Sequence, residues 1–176
     1  MGEVTDIVNT GVSVIHLMAN HAGVKTAQGG YATGFPIGYD GTGAMGGSFK
    51  HVTKQWKQTS DWWDLTKVDF DFTVGINWLA CISQHGSGHY IDQITPTLEV
   101  AYLPVDFTVD VEANFPSHGN KFGTTDDVIA GMPFTLAITV NGVFGQALSW
   151  RDEKNIVVMG DGTWSWPPHE GTTPTC

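Results

Sequence analysis

The chain has 176 residues, with 8 Lys or Arg against 18 Asp or Glu and a formal net charge of −10. Nucleic-acid binding needs basic side chains to neutralise phosphates, so this balance argues against a DNA or RNA partner, and it disfavours general attraction to anionic lipid. With 41% apolar residues, 15% charged residues and 22 glycines, the composition predicts one globular domain over residues 1–176, rich in tight turns, and not a disordered chain.

Residues 3–19 read as an amphipathic helix. Val4, Ile7, Val8, Val12, Ile15 and Met18 recur at three- and four-residue spacing and give one apolar stripe. Glu3 and Asp6 lie near the start, where the helix dipole favours negative charge, and Asn20 to Gly23 supplies a stop. Gly11 costs such a helix about 1 kcal/mol relative to Ala. A competing reading places Val12, Val14 and His16 in a strand. Met1 is followed by Gly-Glu with no basic segment, and no run approaches the ~18 apolar residues of a bilayer span. The sequence therefore predicts a soluble chain with neither a signal peptide nor a transmembrane segment.

Residues 24–166 read as a β-rich body. Residues 24–47 are Gly-rich, with Gly29-Gly30, Asp40-Gly41 and Gly46-Gly47, and predict loops with short strands near Tyr31 and Phe35. From Val68, apolar Phe70, Phe72, Val74, Ile76 and Trp78 alternate with polar Asp69, Asp71, Thr73, Gly75 and Asn77, which predicts a strand with one buried face. Val105 to Phe115 repeats that pattern, with Val105, Phe107, Val109, Val111 and Ala113 inward. Between them, Thr97 to Leu103 predicts a shorter strand bracketed by Pro96 and Pro104. Residues 133–150 predict a hairpin on a two-residue turn at Asn141-Gly142, where both positions need positive φ. Asn155 to Met159 adds a strand, and residues 167–176 predict a loose tail. The whole predicts a mostly β chain: an antiparallel β-sandwich, or a partly closed barrel, behind one N-terminal helix.

Few residues carry a chemical signal. Asp69 and Asp71 on one strand and Asp106, Asp110 and Glu112 on another would repel if the strands were neighbours. Either the strands lie apart on solvated faces, or a cation such as calcium lies between them. His85 and His89, separated by Gly-Ser-Gly, are candidate zinc ligands with Asp92 as a third, although the glycines equally describe a plain loop. Such a metal would support a hydrolase or lyase. Cys81 closes an apolar run and reads as a small buried hydrophobe. Cys176 reads as an exposed end, and a bridge between the two is permitted but not required.

Tryptophan is used unusually often, seven times. Trp62 and Trp63 stand between Asp61 and Asp64 in a polar stretch, and Trp164 and Trp166 flank Ser165. Outside the patterned strands, such rings can stack on sugars or a partner, or can simply cover sheet ends. Lys50, Lys54 and Lys57 beside Trp56 suggest either a lipid contact or a solvated face. The leading expectation is a non-catalytic, lectin-like domain that binds a small molecule or glycan through Trp62, Trp63, Trp164 and Trp166 with Asp61 and Asp64, without a cofactor. The alternatives are a membrane-active protein that uses the helix and the Lys/Trp segment, and the metal-assisted enzyme. Homo-oligomerisation is compatible with all three.

Overall fold

A computed structural model describes residues 6–20, 25–28, 30–59, 69–142, 149–167, 169–170 and 176. They form strands β1 (Ile7–Val8), β2 (Val14–Asn20), β3 (Lys25–Gln28), β4 (Ala32–Pro36), β5 (Ala44–Thr59), β6 (Asp69–Gln84), β7 (Ser87–Tyr102), β8 (Phe107–Asn114), β9 (Asn120–Gly123), β10 (Val128–Gly142), β11 (Ser149–Met159), β12 (Trp164–Trp166) and β13 (His169–Glu170). The chain is mostly β, as its alternating patterns predict. Hydrogen bonding links the strands into one mixed sheet that stays open.

The sheet has two antiparallel blocks. In one, β5, β6, β7, β4 and β1 follow one another. In the other, β3, β2, β8, β10, β11, β12 and β13 do so, with β9 also against β10. A parallel pairing of Ile129 with His89 joins the blocks.

The core follows from the period-two pattern. Phe70, Phe72, Val74, Ile76 and Trp78 of β6 are buried with Val109, Val111 and Ala113 of β8 and Leu136, Ile138 and Val140 of β10. Each large side chain removed from water contributes roughly 1.5–3 kcal/mol. Aromatic contacts connect strands that share no hydrogen bonds. Trp56 of β5 meets Trp166 of β12 at 6.0 Å between ring centroids, and Phe70 of β6 meets Trp150 of β11 at 5.5 Å. The Trp56 indole N–H donates to Asp152 Oδ2 at 2.9 Å, and that of Trp78 to the Met159 carbonyl at 3.2 Å. Burial alone would raise the Asp152 carboxyl pKa. Hydrogen bonds from Lys154 and Trp56 outweigh it and hold the group below the usual carboxylate range.

The N-terminal helix is overturned: the described residues contain no helix, and residues 6–20 hold β1 and β2. Gly11 marks the reason. Val12 N–H donates to the Tyr31 carbonyl at 3.0 Å, and a Cβ on Gly11 would lie 1.9 Å from that oxygen. Asn9 Oδ1 accepts from both Gly11 N–H and Thr33 N–H, each at 3.0 Å. The chain thus crosses a neighbouring strand where a helix would have continued. Beyond it, Ile15, Leu17 and Ala19 face inward while Val14 and Met18 are 48% and 40% exposed. A 3.6-residue stripe and a two-residue alternation overlap in this short segment, and tertiary pairing decides between them. Without a helix there is none long and apolar enough to cross a membrane among these residues.

Other boundaries move as well. Pro96 lies inside β7, opposite Ile76, and does not precede the strand. Beyond Ile94 the pairing of β7 with β4 has ended, so among the described residues this stretch is an edge, where a missing N–H is tolerated. Val105 is 70% exposed in the turn before β8, where Asp106 has φ 68°. Asn141 pairs with Ser149, so Asn141-Gly142 extends β10 and is not the hairpin turn. Cys176 forms a disulfide with Cys81 and so pins the expected loose end of the chain to β6.

Candidate functional site

An open hollow with titratable groups in its lining is a cleft of ≈ 570 Å³. It lies where β4, the loop after it, the start of β5 and the middles of β6 and β7 meet. Strand β4 supplies Thr33 and Phe35, the loop Tyr39 and Asp40, and β7 Asp92, while Tyr31 and Thr10 close one rim. A second hollow, of ≈ 410 Å³ around Phe115 and Phe134, has no ionisable side chain in its lining.

Local backbone geometry builds this cleft. Tyr90 and Ile91 are both buried, so alternation breaks in β7, and Gln93 takes φ 54°. The β6–β7 register shifts on both sides of Leu79, which pairs with Asp92. Bulges re-aim side chains, and this one sets Asp92 at the cleft margin. At the floor, Gly46 has φ 78°, and a Cβ there would lie 2.7 Å from the Cys81 carbonyl oxygen, so only glycine lets β5 approach β6 this closely.

The walls are aromatic and acidic. Phe35 and Tyr39 stack at 4.1 Å with an 11° interplanar angle; Phe35 is buried, whereas Tyr31 across the rim is 51% exposed. Thr10 and Thr33 share a hydroxyl contact of 3.1 Å, and Thr10 N–H donates to Thr33 Oγ1 at 2.9 Å. Asp40 Oδ1 accepts from Thr42 N–H at 2.8 Å, and Asp92 Oδ1 from Gln93 N–H at 2.7 Å. The Thr42 side chain and backbone hold the Asp40 carboxyl below its usual pKa, which makes it a hydrogen-bond acceptor and a poor proton donor. The Tyr39 phenol is pushed up by burial and then by the negative charges of Asp92 and Asp40. Among the described residues no His, Cys, Ser, Lys or Arg lines the cleft.

Of the expected site residues that are described, Asp92 lines this cleft and Trp164, Trp166, His85 and His89 do not. Asp61, Trp62, Trp63 and Asp64 lie outside the described residues. Trp164 is half-buried against the core, and Trp166 is 2% exposed beside Trp56. Trp166 faces the interior because β12 pairs with β11 and its alternation carries this ring inward, so it offers no exposed stacking face. Its indole N–H has no partner among the described residues.

The expected zinc ligands do not form a metal-holding set: among the described residues no three His, Cys, Asp or Glu side chains come together. His85-Gly86 is instead the two-residue turn between β6 and β7, with φ 52° and 77°, and Gln84 pairs with Ser87 across it. These signs at both positions are those of a type I′ turn. His89 sits 3.4 Å from Asp127. The acidic strands prove not to be neighbours, since β6 pairs with β5 and β7 and β8 with β2 and β10, so no calcium is needed between them. Asp71 accepts from Gln55 at 2.6 Å, and Asp110 pairs with His16. In the Lys/Trp segment, Trp56 is core, Lys54 reaches the Pro167 carbonyl at 3.0 Å, and Lys57 lies 4.0 Å from Asp71.

Sequence reasoning missed Tyr31, Tyr39 and Asp40. Their only signal was position: aromatic and acidic side chains in a Gly-rich loop, where burial has few apolar partners. No protein-family model, curated protein or solved structure matches the chain.

Proposed function

We propose that this protein is a non-catalytic, lectin-like ligand-binding domain whose site is the cleft of Tyr31, Tyr39, Asp40 and Asp92. Its two antiparallel blocks then act as the layers of a sandwich that carries the site at one margin. The observation that supports this reading is the meeting of the Phe35–Tyr39 stack and the exposed Tyr31 ring with two carboxylates and the Thr10 hydroxyl in one open hollow.

A pyranose presents a C–H face that packs on an aromatic ring and hydroxyls that donate to carboxylates, and the cleft offers both kinds of surface. The stacking role expected of the tryptophans passes to the tyrosines. A catalytic reading has less to stand on: the lining holds no nucleophile with an adjacent base, and the Asp40 carboxyl is shifted away from the range of a general acid.

The test is titration calorimetry of the intact protein against a panel of monosaccharides and oligosaccharides. Binding by at least one sugar that is lost in Tyr39→Ala, with a cooperative melting curve showing the variant folded, would support the cleft. Sugar binding that survives both Tyr39→Ala and Asp92→Ala would place the site elsewhere. No binding across the panel would end the lectin reading.

A further inference from the structure

We propose that the ligand of this cleft carries a protonated amine, so that its natural class is an amino sugar and not a neutral saccharide. The inference rests on the binding reading above and narrows it. Asp40 and Asp92 both line the hollow, and among the described residues no cationic side chain does. Burial, and after it the charges of Asp92 and Asp40, make the Tyr39 hydroxyl harder to ionise. The cleft is thus a region of negative potential bounded by aromatic rings.

Such a site discriminates by charge. An anionic ligand is repelled by two carboxylates. A neutral sugar must replace the hydration of both with hydroxyl donors. An ammonium group supplies the countercharge, donates to a carboxylate through strong charge-assisted hydrogen bonds and is attracted to the face of a tyrosine ring. The Phe35–Tyr39 stack holds the Tyr39 ring in place for this contact. The Asp40 carboxyl is lowered first by the Thr42 hydrogen bonds and to a lesser degree by His85. Its ring packs against Gly43 and does not line the hollow.

The shared chemistry, a cation beside aromatic rings, also describes a quaternary ammonium headgroup, and the test separates the two sources. Glucosamine, N-acetylglucosamine, glucose and tetramethylammonium are titrated into the intact protein at pH 6 and low salt. Glucosamine is expected to bind about tenfold or more tighter than glucose or N-acetylglucosamine, an advantage that shrinks at high salt. Asp92→Asn should reduce this preference while keeping its acceptor for Gln93 N–H. Asp40→Asn, on the exposed loop, provides the second reading should Asp92→Asn fail to fold. Equal or tighter binding of glucose would overturn the amine and leave the sugar site standing. Tetramethylammonium binding as tightly as glucosamine, with glucose inert, would keep cation recognition and overturn the sugar. Retention of the full preference in both Asn variants would overturn the role of these carboxylates.

Discussion

Two aromatic clusters lie in this molecule, and they differ in what carries them. Trp56, Phe70, Phe72, Trp150 and Trp166 sit on strands, and their rings meet within β6, across the paired β5 and β6, and between strands that do not share hydrogen bonds. Tyr31 and Tyr39 lie beside strand β4 rather than in it, and only Phe35 of that group belongs to a strand. On a strand, alternation fixes which rings turn inward, and the indole N–H groups of Trp56 and Trp78 find fixed acceptors in Asp152 and the Met159 carbonyl. Off a strand, no alternation hides the ring, and Tyr31 remains half open to solvent. Ring count is therefore a poor guide to an exposed aromatic face, because the backbone under a ring decides whether it is sealed in the core or left open to solvent.

Replacing Phe72, which is fully buried between Trp56 and Phe70, tests the sealed cluster most directly. Phe72→Ala is expected to cost about 3–5 kcal/mol in denaturant unfolding. A loss below about 1 kcal/mol would show that this cluster is not a close-packed core. Loss of the Cys81–Cys176 bridge should come next. The bridge spans 95 residues, and Cys176→Ser is expected to cost about 2–4 kcal/mol by freeing the unfolded chain. Gly160 gives a third, local test. Its N–H donates to the Ala130 carbonyl at 2.8 Å and its carbonyl accepts from Cys81 N–H at 2.7 Å, where the two blocks join. A Cβ there would lie 2.0 Å from the His89 carbonyl oxygen, so Gly160→Ala must move backbone and should cost about 1–3 kcal/mol.

The open cluster should respond in the opposite sense. Tyr39→Ala removes a half-buried loop ring, and its expected stability cost is below about 1.5 kcal/mol, while ligand binding is lost. If Tyr39→Ala destabilised the fold as much as Phe72→Ala, the distinction between sealed and open rings would fail.

The same distinction explains what the sequence made legible. The β6 alternation from Phe70 to Trp78, and that of β8 from Val109 to Ala113, are visible because each run is long and each strand buries one face. Residues 6–20 are misleading because the alternation is short and Gly11 is needed for a contact with Tyr31, some twenty residues away, which no local pattern encodes. The cleft is harder still. Asp92 reaches it through a break in alternation at Tyr90 and Ile91, and Tyr39 through a loop whose course depends on β4 joining β7. A bulge changes which face a residue occupies without leaving a sequence signature as plain as the alternation it interrupts. The pairing of Cys81 with Cys176 had no such signature either, since two cysteines alone permit a bridge without specifying it.

His85 shows the same effect at the smallest scale. As a residue between glycine-rich neighbours and a second histidine, it resembled a metal ligand; in the fold it is the first position of a type I′ turn, at φ 52°. Asparagine adopts that left-handed conformation more readily than histidine, because its short side chain hydrogen-bonds locally. His85→Asn is therefore expected to leave the protein unchanged or to stabilise it by a few tenths of a kcal/mol. Gly86, at φ 77° with open space where a Cβ would stand, provides the control: Gly86→Ala should cost about 1–2 kcal/mol from backbone strain alone. Thermal melts of the two variants, with and without a chelator, separate turn from metal. If His85 held an ion, His85→Asn would lower stability and abolish any chelator response. A turn residue predicts no chelator response in either protein, with the whole penalty falling on Gly86.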